Sequence, residues 1–158
     1  MSTKSTDLFE DFPYSTYYWG HPAVISETKF AAFRSLCKMI LKASDSTLAD
    51  GLGRQGSSPT LDDDLVSFNG EFPDCRETFF FPRVSEDLEF LTPDHSGNFY
   101  RFCETGGNGY DLAVGACLHA AVYCKIIPSF GREEGDIPEN LLWESILTHI
   151  TLGGNDAN

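Results

Sequence analysis

The chain has 158 residues, with 24 acids against 11 bases and a formal net charge of −13. That balance excludes binding nucleic acid directly through its phosphates and lying on an anionic membrane surface, since both need surplus cations. A hydrophobic fraction of 41% with 13 Phe excludes a disordered chain and suits a single domain over 1–158 with a real core.

In chain order, residues 1–11 are polar and read as a frayed arm. FPYSTYYW (12–19) reads as a strand or extended arm laid over the core, with an exposed partner-binding patch as the alternative. Residues 26–43 carry the clearest amphipathic helix, with Ser26 as cap and Ile25 and Phe30 spaced as a hydrophobic staple. Phe30, Phe33, Cys37, Ile40 and Leu41 line its inner face. Arg34, Lys38 and Lys42 recur every fourth residue on another face. They form either a solvated stripe or a basic ridge that docks against a second copy or an acidic partner surface.

Residues 44–63 are rich in Gly, Ser, Asp and Pro and read as a long flexible loop. The run Asp62, Asp63, Asp64 lacks the spaced ligands and turn glycine of a calcium loop, so no metal is expected there. From 65 to 103 the pattern turns to strands. LVSF followed by Asn69-Gly70 predicts a hairpin turn, and Phe79, Phe80 and Phe81 predict a strand buried on both sides or at a hairpin edge, with Pro82 marking an edge or the strand's end. PDHSG (93–97) makes a turn before NFYRFC, in which Phe99, Arg101 and Cys103 alternate with Tyr100 and Phe102.

The centre of the chain is 110–125, where Leu112 to Cys124 are apolar in every direction at 100° per residue. This predicts a buried central helix, too short to cross a bilayer. Asn108 is a cap candidate, and Asp111 suits the first turn. IIPSFGREEGD follows as a short strand or loop. PENLLWESILTHI (138–150) predicts a last helix, with Leu142, Trp143, Ile146, Leu147 and Ile150 inward. The expected fold is α+β: an antiparallel sheet of three or four strands with about three helices.

Chemistry has few candidates. Cys103, Thr105, Gly106, Gly107, Asn108 and Gly109 form a glycine-rich loop at a helix N-terminus, a geometry that can hold an anion, though it is neither a P-loop nor GxGxxG. Gly107 and Gly109 suit positive φ. Cys103 beside that N-terminus is a candidate thiolate; His119 points away by spacing and His95 lies at the opposite end of the same strand, which leaves His21 or His149 as its base. There is no CxxC or HxxxH pair, and Cys117 and Cys124 lie roughly 10 Å apart along a helix, so no metal or cofactor is expected. Five cysteines without a secretory signal suggest free thiols in the cytoplasm.

FCETGGNGYDLAV (102–114) resembles small uncharacterised phage and prophage proteins, in which Phe-Cys-x-Thr and a short loop precede Tyr-Asp and an Ala/Val/Leu helix. Phe80, Phe81, Pro82 and Arg83 match their upstream segment, so the resemblance covers roughly 78–125. Where that pattern has a basic residue and a proline before Tyr-Asp, this chain has Asn108 and Gly109. The resemblance implies a viral context and the α+β core; it brings no known activity with it.

Together these features predict a non-catalytic acidic interaction protein that binds and occludes a basic surface of a host protein in the host cytoplasm. The expected interaction residues are Arg34, Lys38, Lys42, Asp62, Asp63, Asp64, Glu86 and Asp87. The alternative is a small-ligand or nucleotide-binding protein using the loop 104–111.

Overall fold

A computed structural model of the protein describes residues 16–44, 46–85, 93–94 and 96–133. Among them are two helices and antiparallel sheets, an α+β arrangement. The predicted helix at 138–150 and the arm at 1–11 lie outside the described residues.

The aromatic stretch becomes β1 (Thr16–His21), because alternate residues bury on one side: Tyr17, Trp19 and His21 point inward. The first helix, α1 (Glu27–Ala43), starts where Ser26 Oγ accepts a hydrogen bond from the Lys29 amide at 3.2 Å, and it buries Phe30, Phe33, Cys37 and Ile40. Its stripe therefore follows the apolar spacing of the sequence.

Inside 44–63 the chain forms two short strands, β2 (Leu48–Ala49) and β3 (Thr60–Leu61). Between them Asp50 ties the turn together, accepting from the amides of Leu52 and Arg54 at 3.1 and 3.2 Å. Next comes β4 (Leu65–Gly70), which pairs with β2, β3 and β5 (Phe79–Pro82).

The predicted hairpin turn at Asn69-Gly70 is overturned: both residues lie within β4, facing Ala49 and Leu48. Asn69 spends its side chain on other chain segments, donating to the carbonyls of Gly51 and Arg76 and accepting from the Arg76 amide. Gly70 is required by crowding, since a Cβ there would sit 2.6 Å from the Asp74 carbonyl oxygen. Turn chemistry was the wrong inference from a pair chosen for packing.

The remaining elements are β6 (Phe99–Glu104), α2 (Asp111–Tyr123) and β7 (Phe130–Arg132). They complete a second sheet in the order β6-β1-β7, so the expected one sheet is two. The inner rings join both sheets to α1. The Phe81 ring lies 5.9 Å from Trp19, 4.4 Å from His21 and 4.5 Å from Phe33.

Helix α2 buries most of its surface, including Val114, Cys117, Leu118 and Ala121. It is not enclosed all round. Leu112 and Tyr123 are exposed with His119 half-buried between them, at the i, i+7, i+11 spacing of a single face. No described helix is long and apolar enough to cross a membrane.

Candidate functional site

The glycine loop is a junction between β6 and α2, and a buried carboxylate organises it. The Asp111 side chain accepts from the hydroxyls of Thr105 and Tyr17, the latter at 3.4 Å, and from Arg132 Nη2 at 3.3 Å. Tyr17 also donates to the Asp111 carbonyl at 3.1 Å. Burial and the Asp111 charge push the Tyr17 phenol well above its ordinary range, so it stays a donor. The fold thus uses this aspartate as an internal knot between β1, β7 and α2.

The loop amides are engaged locally. Gly107 donates to Thr105 Oγ1 at 3.3 Å, Asn108 to the Thr105 carbonyl at 3.1 Å, and Asp111 to the Asn108 carbonyl at 2.9 Å. Asn108 does not cap α2 with its side chain; the amide nitrogen donates instead to the Asp74 carbonyl at 2.8 Å. Positive φ falls at Gly106 and Gly107, not at Gly109, whose missing Cβ would stand 3.0 Å from the Ser46 side chain. The guanidinium of Arg76 lies over Gly106 and pairs with Glu104, a cation that the loop's own sequence does not reveal.

Cys103 is fully buried at the end of β6, its Sγ donating to the Glu77 carbonyl at 3.6 Å. Burial, with Glu77, Asp111 and Glu104 nearby, pushes its thiol up, opposite to the activation expected beside a helix N-terminus. His21 does not reach it. His21 pairs with Phe99 in the register while Cys103 pairs with Tyr17, roughly 13 Å along the strands at 3.3 Å per residue. His21 is itself satisfied: Trp19 Nε1 donates to Nδ1 at 2.9 Å, and Nε2 donates to the Pro82 carbonyl at 2.8 Å. The His119 ring meets the Phe130 ring edge-on at 4.9 Å. His95 and His149 lie outside the described residues.

The expected interaction residues separate. Arg34 binds Asp63 at 2.5 Å, and Asp64 binds Arg83 at 2.8 Å, so part of the basic stripe and part of the acidic run answer charges within the chain. Asp62 accepts the Asp64 amide at 2.9 Å. Lys38 and Lys42 are exposed. Glu86 and Asp87 lie outside the described residues. Cys37, Cys117 and Cys124 are free thiols, with Cys37 and Cys117 buried in the core.

A surface that the sequence reading passed over lies on the other side of the β6-β1-β7 sheet. Tyr100 and Phe102 are 62% and 57% exposed, and Tyr18 is half-buried beside them. The Tyr18 and Tyr100 rings stack at 6.3 Å, and Tyr100 and Phe102 stand 5.7 Å apart. Tyr18 lies across Gly131, where any side chain would collide with its ring. The signal in NFYRFC was an inversion: Arg101 points inward, over the Phe80 ring at 5.5 Å, while two aromatics point out. Alternating aromatics on both faces hid it, because both sets score as core.

Comparison of the chain with protein-family models, with curated proteins and with solved structures finds no match to any of them.

Proposed function

We propose that the protein is a non-catalytic, acidic interaction protein, phage-encoded, that binds a basic surface of a host protein in the host cytoplasm and occludes it. The observation that supports this reading is how the arginines are used. Arg34, Arg54, Arg76, Arg83 and Arg132 are each committed to a carboxylate of the same chain. One-to-one internal pairs leave the surplus behind the net charge of −13 unanswered. A partner of opposite charge is the economical counterpart, since complementary fields speed encounter and fix orientation.

The reading is tested by titrating the full chain against a fluorescent oligo-lysine peptide, with an oligo-glutamate peptide as control. Saturable binding at low salt that weakens as salt rises is expected for the basic probe alone. The variant Asp62→Lys with Asp74→Lys and Asp94→Lys, all at exposed positions, is expected to bind less tightly. Absence of saturable binding, or binding indifferent to both salt and charge reversal, would overturn the reading.

A further inference from the structure

We infer that the outer face of the β6-β1-β7 sheet is the docking surface, and that its occupant is an extended, arginine-rich segment of the partner protein. The inference rests on the basic-partner reading above and adds where and how that partner is held.

The register places the outward residues of the three strands in rows. Glu104, Thr16 and Glu133 form one row, because β6 pairs Glu104 with Thr16 and the Glu133 amide donates to the Thr16 carbonyl at 2.9 Å. Phe102, Tyr18 and Gly131 form the next, and Tyr100 with Gly20 the third. Side chains facing one way along a strand recur every second residue, roughly 7 Å apart. Along β6 this gives the series Tyr100, Phe102, Glu104: two exposed rings followed by a carboxylate. Arg76 already answers Glu104, while Glu133 at the far side of the row is exposed.

Such a series suits guanidinium groups better than any other common side chain. A guanidinium stacks flat on an aromatic face and also forks onto a carboxylate, whereas an ammonium does the first less well. An extended segment repeats its own side chains at the same roughly 7 Å interval. Arginines at alternate positions therefore fall in turn on Tyr100, on Phe102 with Tyr18, and at the carboxylate row. Charge favours the same occupant. The chain carries a net charge of −13, and Glu133 stands exposed at the end of the carboxylate row. An acidic partner would be repelled by that charge, and a neutral one would gain nothing from it.

The experiment compares two peptides of equal length and charge, one alternating Arg with Gly and one alternating Lys with Gly, by fluorescence anisotropy with the full chain. The wild-type protein is expected to bind the arginine peptide several-fold more tightly. The variant Tyr100→Ser with Phe102→Ser keeps the net charge and alters exposed side chains only, and circular dichroism confirms its fold. It is expected to lose roughly tenfold in affinity for the arginine peptide and to lose the preference for arginine over lysine. Glu133→Lys is expected to weaken both peptides. Equal binding of the two peptides by the wild type, or unchanged arginine binding by the aromatic variant, overturns this inference and leaves the basic-partner reading standing. If the wild-type chain binds neither peptide at low salt, both fall.

Discussion

At the scale of single residues, the chain shows how titratable groups are used as structure. His21 is buried, takes a hydrogen bond from Trp19, gives one to Pro82, and lies 4.4 Å from the Phe81 ring. Loss of hydration, with Arg101 adding to it, lowers its pKa from 6.5 to about 3. The unfolded chain therefore takes up a proton below about 6.5 that the folded chain refuses until about 3. The stability tied to His21 is complete above that window and falls as pH drops through it, by about 1.4 kcal/mol per unit. Between pH 7 and 5, urea unfolding is expected to show a loss of about 2 kcal/mol that His21→Gln largely abolishes. An equal pH dependence in wild type and variant would mean that the imidazole is not held neutral. The same kind of burial that lowers the His21 pKa pushes the Cys103 thiol up, so both groups are held in their neutral forms.

At the scale of elements, what could be read in the sequence followed periodicity, and what could not followed contacts between distant segments. The α1 stripe was legible because Phe30, Phe33, Cys37 and Ile40 recur at helical spacing behind a serine cap whose bond the structure contains. Asn69 and Gly70 were misread because their meaning comes from Gly51, Arg76, Asp74 and Tyr110, none of them adjacent. The knot around Asp111 was half legible: a first-turn carboxylate was expected, while its partners Tyr17 and Arg132 come from the far ends of the described chain. The split into two sheets had no local signal, since it depends on which strand finds which.

The glycine positions turn this contrast into a test. At Gly70 an added methyl would meet the Asp74 carbonyl oxygen at 2.6 Å and Tyr110 Cδ1 at 2.9 Å, one of them backbone with little room to move. Gly70→Ala is therefore expected to destabilise by about 2–3 kcal/mol, at the upper end for an overpacked site. Gly56 has φ +80° and nothing within 4 Å of an added methyl, so Gly56→Ala carries only the left-handed backbone cost, about 1 kcal/mol. Denaturant midpoints for the two variants separate crowding from conformation. Equal losses would mean that Gly70 is not held by its neighbours.

At the scale of the whole molecule, charge acts on folding and on binding with opposite signs. The described residues contain 12 acids and 10 bases, nearly balanced, whereas the full chain carries −13. Most of the surplus therefore belongs to stretches that flank the described body in sequence, including those on either side of Thr16 and Glu133. Four of the five internal ion pairs have at least one well-exposed member or are partly open, and such pairs contribute little. Self-repulsion of the surplus is then the larger electrostatic contribution to stability, and it is screened over about 10 Å at 0.1 M salt. Raising NaCl from about 20 to about 300 mM is expected to raise the melting temperature of the full chain by a few degrees while weakening its hold on a basic peptide. A chain stabilised mainly by its own ion pairs would show the reverse in melting. On the proposed reading the surplus is directed at a basic partner, and opposite salt slopes for melting and binding, measured on one preparation, are the expected outcome; parallel slopes would count against it.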